Sequence, residues 1–150
     1  LKRRDIRNLP LLYVIGEGKS RQQLEEMIRQ LQLEDEVLLL GFMQNPVHWM
    51  ANAQLIVHSA KFEGLPTVLI ESLMLEKLII SSDCPTGPRE ILKNGKAGAL
   101  VPVGNHLLFA DAIQRLLSDI KLQSAIIKEV RKHKKVFLAD RSISALEQLF

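Results

Sequence analysis

The chain has 150 residues, 47% of them hydrophobic and 25% charged, and a formal net charge of +3, which predicts one globular domain with a core. It contains no apolar run near the roughly 20 residues needed to cross a bilayer and no secretory signal, while its charge and sparse aromatic residues argue against nucleic acid as a partner. The lone cysteine, Cys84, excludes an internal disulfide and favours a reducing cytoplasm.

Short apolar runs alternate with helical patterns along the chain. Strands are predicted at 11–16, 37–41, 55–59, 78–82 and 98–101. Helices are predicted at 20–32, from Asn45 through Met50, around Glu71, at 86–92, at 105–118 and over most of the tail from 119, with a break near Asp140. Such alternation is typical of an α/β fold, a doubly wound parallel sheet of Rossmann-like type, covered on both faces. No internal repeat or linker divides the chain.

Ligands of such folds bind beyond the carboxyl ends of the strands. Four loops with suggestive residues follow predicted strands, at 16–18, 41–45, 59–66 and 82–90. We therefore expect these loops to share one rim of the sheet.

Two of the loops are open to a simpler interpretation. Gly16-Glu17-Gly18 lacks the third glycine of a dinucleotide fingerprint and the lysine of a P-loop, so a plain turn is as good an explanation as ligand contact. Gly41-Phe42-Met43 fits either a tight turn or a backbone that approaches a flat base.

The loop at 83–90 also leaves two alternatives. Thr86, followed by Glu90, fits a helix cap as well as a ligand role. Cys84 has no evident histidine partner, which argues against a nucleophile. The four histidines lack metal-ligand spacing and are assigned surface or packing roles; they are His48, His58, His106 and His133.

Basic residues cluster at 2–4 and again between Lys128 and Lys135. A solvated helix face is the plainer interpretation. The alternative is attraction to an anionic membrane surface.

The stretch EGLPTVLIE, residues 63–71, is the most informative in the chain. Glu63 precedes a Gly-Leu-Pro turn, and a helix that starts near Leu65 would direct its unpaired N–H groups and positive dipole end toward whatever Glu63 faces. Glu71 lies inside the apolar run VLIESLML, where we expect a partly buried carboxylate in need of hydroxyl or N–H partners. This arrangement suits a ligand with both phosphate and hydroxyl groups.

With GEG, VLLLG, SSDCPTGPREIL and GALVPV, this stretch resembles the carboxyl-terminal domain of family 4 (group 1) retaining glycosyltransferases of the GT-B fold. The resemblance runs from about Leu11 to Asp119. It implies a nucleotide-sugar-binding domain, and a glycan or glycolipid acceptor held by an amino-terminal domain outside this chain.

The resemblance also implies roles for individual residues. Glu71 binds the ribose hydroxyls, and Glu63 is the catalytic residue beside the transferred sugar. The backbone of Gly64, Leu65, Pro66, Thr67 and Val68 meets the diphosphate and sugar, while Phe42 and Met43, with Gly16, complete the binding of the nucleotide. Configuration is retained by front-face attack, with no metal or other cofactor.

The sequence departs from the family pattern in three respects. It lacks the first strand–helix unit, whose arginine and lysine grip the diphosphate, and it lacks the acceptor domain. Lys19, Glu76 and Leu78 stand where Pro, Gly and Pro are common.

These features lead to a hypothesis with two alternatives. The chain is the donor-binding part of a hexosyltransferase that uses a UDP-sugar to build a glycolipid or polysaccharide, in the cytoplasm or at the inner face of the membrane. The first alternative is a nucleotide-sugar-binding module that is not catalytically competent as this fragment. The second is a non-enzymatic domain that uses the same rim for protein contacts.

Overall fold

The computed structural model describes residues 10–138, and their contacts form two compact units that divide between His48 and Trp49. The sequence predicts one uninterrupted domain, because no linker composition marks that boundary. The division falls inside a helix, α2, which spans Pro46–Asn52.

The first unit consists mainly of one strand–helix–strand element. Strands β1 (Leu12–Ile15) and β2 (Val37–Gly41) pair in parallel, and helix α1 (Arg21–Gln30) connects them. The pairing shifts by one residue between Val14 and Ile15. Parallel strands need a crossover of this kind, so the topology follows directly from the predicted alternation.

The second unit has a three-stranded parallel sheet with the order β3-β4-β5. Its elements in chain order are β3 (Leu55–His58), α3 (Thr67–Met74), β4 (Leu78–Ser82), α4 (Pro88–Ile91), β5 (Ala99–Val101), α5 (His106–Ser118), α6 (Ile120–His133) and a 3-10 helix (Lys134–Phe137). Two side chains cap helices as their residue types predict. Asn105 accepts a hydrogen bond from the backbone N–H of Leu108 (3.0 Å), and Asp119 accepts one from that of Leu122 (2.9 Å).

The hydrophobic core of the described residues lies in the second unit and surrounds β4. Every residue of β4 is buried, and Ile79 and Ile80 are fully so. Helices α3 and α6 pack onto this strand region through Leu69, Leu73 and Val130. Each of these aliphatic side chains stabilises the fold by roughly 1.5–3 kcal/mol relative to exposure.

All the predicted elements within residues 10–138 are present, with ends that differ by a few residues. Coverage of both sheet faces holds for β4 but is wrong for β1, where Leu12 is 43% and Tyr13 44% exposed. The apolar face of α1 has no buried residue. Little in the described part of the first unit therefore screens this helix face from solvent. The predicted break near Asp140 lies outside the described residues.

Candidate functional site

The loop that carries Glu63 follows β3 and leads directly into α3. Pro66 is buried and has an extended backbone conformation. It is the residue before Thr67, where α3 begins, so it lies one position earlier than a proline in the first turn of a helix would. The N–H of Leu69 donates to the carbonyl oxygen of Pro66 (3.0 Å), so the N–H groups of Thr67 and Val68 precede the first hydrogen bond of the helix. The helix start therefore offers the free donors that the sequence predicts.

The neighbouring loop after β4 packs directly against this turn. Gly87 has φ +91°, and a β-carbon there would overlap the ring of Pro66 and come within 3.2 Å of the carbonyl oxygen of Gly64. Only glycine fits this approach at ordinary cost. The loops at 59–66 and 82–90 thus meet as predicted.

Thr86 does not cap α4, which corrects one of the two interpretations drawn from the sequence. Its hydroxyl donates to the backbone carbonyl of Glu63, while the residue preceding α4 is Gly87, with no side-chain cap. The reason is the approach of the two loops, which brings the hydroxyl closer to another loop than to its own helix. Thr86 therefore helps to hold the backbone beneath the Glu63 side chain.

The side chain of Glu63 contacts His58, for which the sequence predicts only a surface or packing role. Glu63 Oε1 lies 3.0 Å from His58 Nε2, and His58 Nδ1 lies 2.9 Å from Ser81 Oγ. The signal in the sequence was the position of His58 at the carboxyl end of a strand, five residues before the glutamate. Its partner Ser81 is set by strand register, which the sequence alone does not give.

Glu71 is exposed on α3, and the expectation of a partly buried carboxylate is wrong. The buried side of this helix is formed by Leu69, Ser72 and Leu73, and position 71 lies off that side. No hydrogen bond or ion pair joins the Glu71 carboxylate to another residue in the range 10–138. It is free to meet a ligand from solvent.

The remaining predicted ligand residues belong to the first unit. Gly16, at the end of β1, has φ +125° and donates its N–H to the carbonyl oxygen of Gly41 (2.8 Å). Phe42 is 77% exposed and Met43 is half-buried. The four predicted loops are thus divided between the units, and a shared rim for all of them stays a prediction.

Arg89 forms a two-pronged ion pair beside the Glu63 loop. Its guanidinium contacts both carboxylate oxygens of Asp83, with Nε–Oδ1 at 2.7 Å, and this partner raises the pKa of Arg89. Cys84, between the loop residues, is 1% exposed, and its Sγ faces the carbonyl oxygen of Thr86 at 3.9 Å. Burial of this kind does not fit a nucleophilic thiol.

Carboxylates neutralise much of the basic cluster on α6 and the 3-10 helix. Glu76 contacts Arg131 (2.6 Å) and Lys134 (2.9 Å), and hydrogen bonds from Lys134 and then Arg131 lower the pKa of Glu76. Glu129 contacts Lys93 (3.1 Å) and Lys132 (3.4 Å), with the same direction of shift. These contacts favour the plainer interpretation of the cluster. The other cluster, at 2–4, lies outside the described residues.

Residues 10–138 contain neither a helix that could cross a membrane nor a cluster of metal ligands. No helix there combines the length and the apolar composition that a membrane crossing requires. No group of three or more His, Cys, Asp or Glu side chains is arranged to hold a metal ion. An open groove of about 570 Å³ beside β5, α5 and α6 includes none of the predicted site residues.

Comparison with known proteins gives consistent matches over most of the chain. The model of the family "Glycosyl transferases group 1" matches residues 1–133. A 4-alpha-N-acetylgalactosaminyltransferase of Campylobacter jejuni is 35% identical over 126 residues. Its name gives a diphospho-undecaprenol-linked sugar as the substrate. That alignment covers 84% of this chain and 34% of the relative, so the chain spans about a third of that protein.

Solved structures share the fold. TarM of S. aureus superposes with a TM-score of 0.83 at 24% identity, over 95% of this chain and 28% of TarM. Anabaena HepE, crystallised in complex with UDP, gives a TM-score of 0.79 at 20% identity, over 94% of this chain and 41% of HepE.

Proposed function

Since the chain belongs to the group 1 glycosyl transferases, we propose that it is the donor-binding domain of a retaining hexosyltransferase. Its substrate in this proposal is a nucleotide diphosphate sugar, with UDP-sugars favoured. The observation that carries the proposal is the pairing of a carboxylate, Glu63, with the start of helix α3 on a turn held in place by Gly87 and Thr86.

Each part of this turn has a role in transfer. The free N–H groups and the positive dipole end at Thr67 and Val68 suit the diphosphate, whose negative charge grows as the sugar leaves. The Glu63 carboxylate lies beside the sugar and stabilises positive charge that develops at its anomeric carbon. The departing diphosphate accepts the acceptor's proton on the same face of the sugar, so configuration is retained.

Glu71 binds the ribose in this proposal. Its exposed carboxylate accepts hydrogen bonds from two adjacent hydroxyl groups, and charge-assisted bonds of this kind are roughly twice as strong as neutral ones. Gly64 contributes backbone only: its β-carbon position points into open space, which leaves room for the diphosphate or the sugar. A contact of Phe42, Met43 and Gly16 with the base stays a prediction from the sequence.

The choice of nucleotide and acceptor follows the relatives. The complex of HepE with UDP supports a uridine nucleotide. The undecaprenol-linked substrate in the name of the Campylobacter relative supports a lipid-linked glycan as acceptor, bound by a part of the enzyme outside this chain. In this proposal the reaction takes place at the cytoplasmic face of the membrane, with which the enzyme associates peripherally.

The second candidate is a nucleotide-sugar-binding module without transfer activity in this form. It rests on the same turn at Glu63 and the start of α3, which can bind a nucleotide sugar whether or not transfer follows. Restoring the flanking parts of the enzyme and assaying sugar transfer to a lipid-linked acceptor separates the two. Persistent inactivity with bound donor would favour the module.

Calorimetric titration of the 150-residue chain with UDP-, GDP- and ADP-sugars tests the shared part of both candidates. We expect heat of binding from a UDP-sugar, and a weaker or no signal from the other two classes. If none of the three classes binds, the assignment of Glu63, Glu71 and the α3 start to a nucleotide sugar is wrong.

A further inference from the structure

Strand register places a histidine between a buried serine and the Glu63 side chain. His58 and Ser81 are partners in the parallel pairing of β3 and β4, which puts their side chains on the same face of the sheet. The loop after β3 returns Glu63 Oε1 to within 3.0 Å of His58 Nε2. His58 is 11% and Glu63 32% exposed, whereas Ser81 is fully buried. We call this arrangement the Ser81–His58–Glu63 network.

The number of protons in the Ser81–His58–Glu63 network limits which hydrogen bonds His58 can donate. The Ser81 hydroxyl has one proton and two neighbouring acceptors, His58 Nδ1 at 2.9 Å and the carbonyl oxygen of Ser82 at 3.0 Å. If the proton goes to Nδ1, a neutral His58 carries its own proton on Nε2 and donates it to the ionised Glu63. If the proton goes to Ser82, Nδ1 must donate to Ser81, and the contact with Glu63 then needs one additional proton.

In the first arrangement His58 is neutral and the Ser82 carbonyl lacks the Ser81 donor, whereas in the second both ring nitrogens carry a proton and all three contacts are hydrogen bonds. In both, the contact with Glu63 is a hydrogen bond from His58 Nε2–H to Oε1. Glu63 Oε2 accepts no hydrogen bond from any residue between 10 and 138, and the side chain is a third exposed. The second oxygen is therefore available to a hydroxyl group of a bound sugar.

We propose that His58 is the positioning residue for Glu63. In this proposal, which rests on the proposed function, His58 Nε2–H holds Oε1 and so aims Oε2 at the sugar of the nucleotide-sugar donor. The residue acts through Glu63 and does not touch the nucleotide. Its loss should therefore weaken recognition of the sugar and leave recognition of the nucleoside diphosphate unchanged.

Two polar substitutions separate the contacts of His58. The amide nitrogen of Gln reaches the place of Nε2, so His58→Gln keeps a donor for Glu63. The shorter Asn reaches the place of Nδ1, so His58→Asn keeps the Ser81 contact and loses Glu63. Because both variants are polar and smaller than or similar to histidine in size, they form a matched pair for folding.

The first measurement compares the affinity of each variant for UDP with its affinity for UDP-glucose, UDP-galactose and their N-acetylated forms. For the sugar that binds, His58→Asn should lose about tenfold in Kd, the effect of one hydrogen bond to a charged group. His58→Gln should stay within about threefold, and both variants should bind UDP like the unaltered chain. Combined with Glu63→Ala, His58→Asn should cause no further loss.

The second measurement needs no ligand. Nitrogen-15 spectra of the imidazole in the unaltered chain report which ring nitrogen carries a proton, and we expect Nε2. A deprotonated Nε2, or an equal loss of UDP and UDP-sugar binding in His58→Asn, would overturn the positioning role. If the unaltered chain binds neither UDP nor any of the four sugars, the proposed function fails, and the nitrogen-15 spectra still decide whether His58 holds Glu63.

Discussion

Gly87 lies against the ring of Pro66, and its backbone φ of +91° combines with that contact to exclude every side chain. The contact joins the loop after β4 to the turn that carries Glu63. It also provides a test of how far the candidate site depends on the approach of two loops.

Gly87→Ala should both destabilise the chain and impair donor binding. The left-handed backbone costs an alanine roughly 1–2 kcal/mol, and the overlap with Pro66 adds the cost of moving the turn, so we expect a loss of about 2–4 kcal/mol in the free energy of unfolding. Urea denaturation measures this loss, and calorimetry with a UDP-sugar measures the binding. An unchanged midpoint would contradict the structural role of Gly87.

Gly64→Ala is the matched variant on the other side of the same contact. Its β-carbon would meet no atom within 4 Å, so the urea midpoint should stay close to that of the unaltered chain. If the diphosphate or sugar approaches this backbone, the added methyl group should nevertheless weaken UDP-sugar binding by about tenfold or more. Normal binding by this variant would place the ligand elsewhere.

Glu71→Ala should remove nucleotide binding without affecting the fold. The side chain is exposed, so the unfolding free energy should change by less than about 0.5 kcal/mol. The loss of two charge-assisted hydrogen bonds to a ribose should cost UDP at least about thirtyfold in Kd. Glu26→Ala, which removes another exposed helical carboxylate, is the control and should bind UDP normally.

The contacts of Glu76 should make stability depend on pH in the acidic range. Lys134 and Arg131 lower the pKa of Glu76 in the folded chain, so this carboxylate stabilises the fold above its unfolded-state pKa. The stabilisation is lost as the pH falls through the folded-state value. Glu76→Gln should therefore unfold at lower urea concentration than the unaltered chain near neutrality, and the two should converge in acid.

Salt provides the control for the Glu76 experiment. At about 1 M salt, screening acts over roughly 3 Å, so the difference between Glu76→Gln and the unaltered chain should shrink near neutrality. A difference that persists in acid and at high salt would indicate a cause other than the ion pairs with Arg131 and Lys134.

Core truncation should have the largest effect on stability. Leu73 is fully buried against β4, and Leu73→Ala should lower the unfolding free energy by roughly 2–5 kcal/mol. Leu107, also helical but 59% exposed, is the matched control, and Leu107→Ala should cost well under about 1 kcal/mol. Equal effects of the two substitutions would contradict the placement of the core.

The pattern of apolar runs was sufficient to predict the elements, because a run such as LIISS, residues 78–82, has no polar face and must be buried on both sides. It was not sufficient for Glu71. The apolar residues on either side, VLI and SLML, suggest that the Glu71 side chain is buried. The helix instead buries Leu69, Ser72 and Leu73 and exposes position 71. Whether position 71 is buried depends on which side of the eight-residue helix faces the core. A continuous apolar run does not reveal that side, because it has no polar face for contrast.

The contacts of the site were hardest to predict where they join distant parts of the chain. Thr86 precedes a helix and has the residue type of a cap, but its hydroxyl contacts the Glu63 carbonyl 23 residues away. His58 and Ser81 are likewise 23 residues apart and meet through strand pairing. Local propensity describes what a residue prefers near its neighbours, whereas these contacts depend on which loops the sheet brings together.

The register of β3 against β4 restricts how relatives can diverge in length. Side chains alternate between the faces of a strand, so an insertion or deletion of one residue within β3 would turn His58 away from Ser81 while leaving the backbone pairing intact. The contact between His58 and Glu63 depends in turn on the length of the loop at 59–62. Relatives that retain His58 and Glu63 should therefore vary in the residue types of this loop but not in the number of its residues. An alignment in which His58 and Glu63 both persist across gaps of differing length would contradict this expectation.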